Sequence, residues 1–475
     1  MSVSLHGTSI IMGQDIDSLA FQDCDVEHFR RRLEDETLLA RRMFAQGAFD
    51  SAGRCAGFEL EAWLVDHNHY PQPCNQRVLA RLADPLVVPE LSQFNIELNG
   101  TPQPLKGAAL SQLAQELTAT WGRCVRAAHE EGATVMAIGT LPTLRESDLT
   151  LAHMSPTRRY AALNEQVLKA RGGRPLTLNI EGRESLSTTH ADVMLEAAST
   201  SFQVHLQVPA EEVSRHLNAS ILLSGPLVAL AANSPFLFGR ALWHETRIPL
   251  FEQSVDCGVN HPERNRVTFG EGYLGADPID YFGDHEVRYP VLLPLCSEEP
   301  VESFAHLRLH NGTVWSWNRL LIGWDARRQP HLRIEQRVMP AGPSVVDMMA
   351  NAAFYYGVVH MLARQHQPPE SLLPFEQARD NFYRSAREGL DAGITWLHGR
   401  RQSVLSLLEQ HLLPLAREGL QDMAVDAQDI DRYLDVIAAR LRTRQNGAVW
   451  QLSHHARHGD LFKLTADYQE HQRSG

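Results

Sequence analysis

The sequence predicts an α+β fold: a sheet whose strands have one polar and one apolar face, helices packed on the apolar side, and a helical C-terminal region. Three observations predict it. Four short stretches alternate polar and apolar residues with the period of two that a half-buried strand requires. Residues 109–131 place Leu110, Leu113, Leu117, Trp121 and Val125 on one helical face and stop at Gly132. Near the C-terminus, Ile430, Leu434, Ile437 and Leu441 form a helical stripe behind Asp426 as N-cap. The expected organisation is an N-terminal helical extension (1–50), a main domain (51–365) and a C-terminal helical segment packed on it (366–475).

Composition narrows the function. The 475 residues include 43% hydrophobic ones, enough for a sizeable core. The 57 acidic residues outnumber the 44 basic ones, a net charge of -13 that argues against nucleic acid or an anionic membrane as partner. Lysine occurs only at Lys106, Lys169 and Lys463, and no P-loop motif is present, so phosphate handling must rest on arginine, metal ions or backbone amides. Six scattered cysteines without a C-x-x-C pair, a start lacking the pattern of a secretion signal and the lack of a long apolar run lead to a cytoplasmic expectation.

The strands come in order. In F-E-L-E-A, Glu59 and Glu61 share one face and Phe58, Leu60 and Ala62 the other. In F-N-I-E-L-N, Asn95, Glu97 and Asn99 oppose Phe94, Ile96 and Leu98. In F-Q-V-H-L-Q-V, Gln203, His205 and Gln207 oppose Val204, Leu206 and Val208. In H-L-R-I-E-Q-R-V, after a hairpin turn at 325–330, Arg333, Glu335 and Arg337 oppose Leu332, Ile334 and Val338. Any one of these is compatible with an ordinary solvated face; the repetition makes a shared site.

Between them, residues 25–46 read as a packing or dimerisation helix with solvated R-R-R and E-D-E clusters, so a homodimer is the expected assembly. Residues 140–183 read as loops around a helix near 160–170. Helices are expected at 211–223 and 226–232, separated by S-G-P, and the glycine-rich 268–275 reads as a lid or substrate loop. Ser344 caps a helix with Asp347 at its third position, running to about His366; Pro414 ends or kinks a later one. His454, His455 and His458 read as exposed tail histidines.

Collected on one polar face, Glu59, Glu61, Glu97 and Glu335 cannot all stay ionised without compensation. An oxygen-rich set with one imidazole, His205, suits Mg2+ or Mn2+. Carboxylate-held cations beside Arg333 and Arg337 describe a site for nucleotide phosphates and a transferring phosphoryl group. The residues alone lead to metal-dependent phosphoryl chemistry.

The ordered motifs G-F-E-L-E, N-I-E-L-N-G-T-P, A-I-G-T-L-P, Q-V-H-L, A-N-S-P-F-L-F-G-R and R-I-E-Q-R-V, spread over 57–360, resemble the second glutamate–cysteine ligase family and related carboxylate–amine ligases. The resemblance implies a glutamine-synthetase-like fold, a curved antiparallel sheet with the site on its concave face and helices on its convex face. It implies that ATP phosphorylates the γ-carboxylate of glutamate, or a similar acid, and that an amine such as cysteine attacks the acyl phosphate. Glu59, Glu61, Glu97, His205 and Glu335 match the family's metal positions and Arg337 its phosphate-facing arginine. Asn99, Gln203 and Gln207 with Arg337 are expected at the nucleotide, Arg333 as a catalytic counter-charge beside the phosphates, and Arg240 or Arg247 at a substrate carboxylate or phosphate. Met339 and Pro340 stand where relatives often carry an acid, so acceptor choice is expected to diverge there. A guanidino-type phosphotransferase and a retired ligase that binds nucleotide or glutamate are the alternatives.

Overall fold

Alternation along 55–65 builds the strand that organises the molecule, since Phe58, Leu60, Ala62 and Leu64 on one side are at most 3% exposed. The computed structural model describes residues 21–51, 53–257, 265–325 and 327–474. Residues 1–20, and with them the start of the expected N-terminal extension, lie outside the described residues.

In chain order the first half comprises α1 (Asp23–Ala45), β1 (Cys55–Val65), α2 (Asn75–Leu82), β2 (Val87–Pro89), β3 (Asn95–Asn99), β4 (Gln103–Pro104), α3 (Ala109–Glu130), β5 (Thr134–Met136), α4 (Arg158–Ala170), β6 (Leu176–Glu181), β7 (Ser185–His190), β8 (Phe202–Gln207) and α5 (Val213–Ala231). Then come β9 (Phe236–Leu237), β10 (Arg240–Ala241), α6 (Arg247–Ser254), β11 (Val267–Thr268), α7 (Asp280–Arg288), α8 (Ala305–Gly312), β12 (Trp315–Ser316), β13 (Asn318–Trp324), β14 (Pro330–Gln336) and α9 (Val345–Ala363). The C-terminal part adds α10 (Phe375–Glu388), β15 (Gly393–Trp396), β16 (Arg400–Ser403), α11 (Val404–Leu407), α12 (Leu413–Asp422), α13 (Ala427–Thr443), α14 (Gly447–His458) and α15 (Leu461–Ser474).

The central sheet is curved and antiparallel, with strand order β13-β14-β8-β1-β3-β2 and with β4 and β5 paired to β1. All four strands expected from the alternation lie side by side in it. Helices α3, α5 and α9 pack on the apolar face. Tyr356 of α9 reaches its hydroxyl to the carbonyls of Gly57 and His205, at 3.1 and 3.2 Å, fastening the helix to the back of the two strands that carry the site. Ser344 caps α9 by accepting from the Asp347 amide, as the sequence predicts, and the helix ends at Ala363, three residues short of the expected end.

Several expectations need correction. One helix, α5, runs straight through Pro226, where two were expected. Nearly every residue of it is buried, and Gly225 brings its backbone against Asn381, so packing outweighs the roughly 3 kcal/mol that an interior proline costs. The loop expected over 140–183 contains the start of a hairpin, β6 and β7. Leu176, Leu178 and Ile180 are buried while Thr177, Asn179 and Glu181 are exposed, a period of two that the flanking Gly and Pro residues obscured. A second hairpin, β15 and β16, interrupts the C-terminal helices. Ahead of Pro414 the helical path widens into a π turn at 408–412.

The E-D-E cluster of α1 is not wholly solvated: Glu36 is buried and accepts from His306 Nδ1 at 2.7 Å and from the Leu307 amide at 2.9 Å. Phe29, Leu33 and Ala40 are buried within the chain, so α1 acts as a packing helix. The 268–275 segment is tethered: Phe269 is buried against Phe375 and Phe382, and the Leu274 amide donates to Asn218. His454 is buried and paired with Asp467 at 2.7 Å, where an exposed tail residue was expected.

Candidate active site

The sheet register sets polar residues in rows. Across β13, β14, β8 and β1, Arg319 stands opposite Glu335, Glu335 opposite His205, and His205 opposite Gly57. The next row runs Gln203, Glu59 and Asn99, and the one after it pairs Glu61 with Glu97 and Glu97 with Val88. The spacing of two between Glu59 and Glu61, and between His205 and Gln203, puts each pair on the same face. That face opens into a cavity. Its walls include Glu59, Glu61, Glu97, Gln203, Arg319 and Arg337, with Glu90, Glu196, Tyr160 and Phe251 closing the far side.

The two ends of this basin differ in charge balance. At one end Glu335, fully buried, accepts from Arg319 Nη2 at 2.9 Å and from Arg337 Nη1. Burial alone would push the Glu335 carboxyl up, but the two guanidinium groups outweigh it and hold the carboxyl well below the usual range. Glu335 Oε1 shares Arg337 Nη1 with Gln203 Oε1, which lies 2.7 Å from it. At the other end the acids outnumber the bases. Glu61 is pushed up to about 7 by burial and by Glu90, and Glu97 is raised well above its ordinary value by burial, Glu59 and Glu90. Glu196 is raised by burial and by the Glu90 and Glu61 carboxylates. Carboxyls that crowd one another this way gain from a bound cation.

A three-ligand group includes Glu335 itself, and of its members Glu59 lines the cavity. One ligand atom each from Glu59, His205 and Glu335 lies within 4.8 Å of the others, and all three residues are buried. His205 Nε2 is 3.0 Å from Glu59 Oε1 yet makes no hydrogen bond of acceptable geometry. Two carboxylates and an imidazole nitrogen fit a Mg2+- or Mn2+-type cation. Arg333 Nε donates to His205 Nδ1 at 3.2 Å, which places the neutral ring's proton on Nε2. Coordination through Nε2 calls for the other tautomer, with Arg333 released from Nδ1.

The remaining residues singled out in the sequence fall in different places. Asn99 donates to Glu97 Oε1 at 2.8 Å, and Gln207 donates to Asp50 Oδ2 at 2.9 Å, away from the cavity wall. Arg247 is buried, bonded to Glu245 Oε1 at 3.0 Å, to Ser201 Oγ at 3.2 Å and to the Val338 carbonyl, so it braces β8 against the end of β14 instead of facing the cavity. Arg240 is 56% exposed on β10, pairs with Glu184 at 3.0 Å and does not line the cavity. Met339 and Pro340 are buried, the Met339 carbonyl accepts from the Phe202 amide, and neither borders the cavity. Sequence reasoning missed Arg319, Glu90, Glu196 and Tyr160. Arg319 was within reach, because counting outward from the turn at 325–330 sets it opposite Glu335.

The curved antiparallel sheet with a basin of acids and arginines on its polar face has the fold of solved glutamate–cysteine ligase and glutathione synthetase structures. Over 90% of both chains it superposes on a glutamate–cysteine ligase from Francisella tularensis in complex with AMP, with a TM-score of 0.60 at 12% identity. A bifunctional glutathione synthetase from Pasteurella multocida aligns over 92% of this chain and 55% of its own, with a TM-score of 0.51 at 13% identity. The chain belongs to glutamate–cysteine ligase family 2, whose profile matches residues 55–467. A Trichormus variabilis protein, provisionally named glutamate–cysteine ligase 2, is 36% identical over 214 residues, a match that spans 42% of this chain and 45% of that protein.

Proposed function

We propose that the protein is an ATP-dependent carboxylate–amine ligase that joins the γ-carboxylate of glutamate, or a similar carboxylate, to an amine such as cysteine. The observation that carries this reading is the division of one cavity into an arginine-balanced end and an acid-rich end, in a chain of this family. Glu59, His205 and Glu335, with Glu61 and Glu97 beside them, would hold Mg2+ or Mn2+. Bound there, such ions supply positive charge to the phosphate oxygens of ATP.

The residues themselves divide the work. Arg319 and Arg337, fixed by Glu335, hold the phosphate chain and the charge that develops as the γ-phosphoryl group moves to a carboxylate oxygen and ADP leaves. Arg333 lies beside Glu59 and His205, and once off His205 it adds a third guanidinium to that charge. The amine nitrogen then attacks the acyl carbon, phosphate departs and the nitrogen loses a proton. Glu196, on the far wall, is our candidate for facing a substrate ammonium group, whose charge would favour the ionised form that burial and the neighbouring acids disfavour. The six cysteines are free, consistent with a reducing cytoplasm, and no described helix is long and apolar enough to cross a membrane.

The test is to supply glutamate, a panel of amines, Mg2+ or Mn2+ and ATP, and to quantify all products. Equal amounts of ADP, phosphate and amide are expected for at least one pair. A stable phosphorylated acceptor with no free phosphate would make the protein a phosphotransferase. Tight metal–ATP binding without turnover of any pair would make it a binding protein.

A further inference from the structure

We infer that Gln203 is a positioning residue that orients Glu61 and keeps that carboxylate open to the cavity; the inference rests on the reading of Glu61 as a cation ligand. Gln203 is 2% exposed, and its amide has no freedom of assignment. Its Oε1 accepts from Arg337 Nη1 at 2.7 Å and its Nε2 donates to Glu61 Oε1 at 2.7 Å. Turning the amide over would set its NH2 against a guanidinium and its oxygen against a carboxylate.

The other oxygen of Glu61 is held as well. Oε2 accepts from the Ser201 backbone amide at 2.7 Å, so β8 grips both carboxylate oxygens two residues apart, once through the main chain and once through Gln203. Each oxygen keeps a lone pair for a ligand. Arg337 is fixed in turn by Glu335, and Glu335 by Arg319. A line of alternating charge therefore runs across the sheet from Arg319 to Glu335 to Arg337 and reaches Glu61 through a neutral amide. Direct pairing of Arg337 with Glu61 would occupy the carboxylate. The interposed amide passes on the alignment and leaves the acid available.

Titration of the folded full-length protein with Mn2+, following the free-ion electron paramagnetic resonance signal, tests this together with thermal melting. Gln203→Met fills the space without either hydrogen bond, and we expect it to weaken Mn2+ binding by about tenfold or more, as loss of a partner that orients a ligand does. Gln203→His can accept from Arg337 at one ring nitrogen and donate to Glu61 from the other, and it should recover affinity to within about threefold of the parent. Undiminished binding by Gln203→Met, or equal weakness in both folded variants, overturns the inference. If Gln203→Met does not fold, Gln203→His decides: parent-like affinity supports the role, and a loss overturns it. A parent protein that binds no Mn2+ overturns the cation reading itself, and the inference with it.

Discussion

Glu335 looks in the sequence like a charge on an open strand face, and the structure changes what its substitution should do. It is fully buried between Arg319 and Arg337, so Glu335→Gln removes the charge that offsets two guanidinium groups. Turnover should vanish, and stability in urea should fall by roughly 3 kcal/mol or more, the size seen when one partner of a buried pair is removed. An unchanged denaturation midpoint would show that the pairs carry no such weight. Glu252 makes a separate prediction. Its carboxylate accepts from Trp317 Nε1 and the Tyr383 hydroxyl, both at 2.8 Å, while burial pushes its pKa up to about 7. The unfolded chain loses this proton near the ordinary value of 4.5, so folding is penalised progressively as pH rises from there through 7, and the penalty is complete above it. Glu252→Gln keeps the acceptor oxygen and should raise the melting temperature by a few degrees at pH 8 and hardly at all at pH 4. At this scale the sequence revealed the acids, because alternation reports which face a residue occupies. It concealed Glu90, in the connection after β2, and Glu196, in the short 3-10 helix Val193–Ala198, because neither segment is long enough to show a period from which a direction can be read.

Among elements, strands were legible and interruptions were not. The four polar-faced strands and the capped helix α9 follow from local patterns that packing reinforces. The alternation of β6 is local but masked by the Gly and Pro residues beside it, whereas the continuity of α5 through Pro226 depends on what lies against it, which no local window contains. The crossing of α9 and α12 is of the same kind. A side chain at Gly419 would place its Cβ 2.0 Å from the Gly357 carbonyl oxygen, so two glycines let these helices meet backbone to backbone. Gly419→Ala should destabilise the protein by about 2 kcal/mol, as overpacking does. Gly122 in α3 meets only the end of Arg126, at 3.6 Å, and Gly122→Ala should stabilise by about 0.5–1 kcal/mol. Opposite signs in urea titrations are the expected result; a shared sign would refute the packing assigned to the crossing.

Over the whole molecule, the C-terminal helices share the core of the sheet. One hydrophobic cluster includes Phe29, Leu60, Leu206, Phe354, Ile437 and Tyr468, and Arg440 of α13 is bonded to Asp347 and Asn351 of α9. The C-terminal segment, expected to pack on the main domain, contributes to the core behind the site. The register of the sheet brings the acids and arginines together, and acyl phosphate formation is the role we propose for them. The direct test is turnover with glutamate labelled with oxygen-18 in its γ-carboxylate, ATP, Mg2+ and an accepted amine, followed by mass analysis of the phosphate released. Transfer of one labelled oxygen into phosphate, with ADP as the nucleotide product, is the predicted result; unlabelled phosphate, or AMP and pyrophosphate, would contradict it.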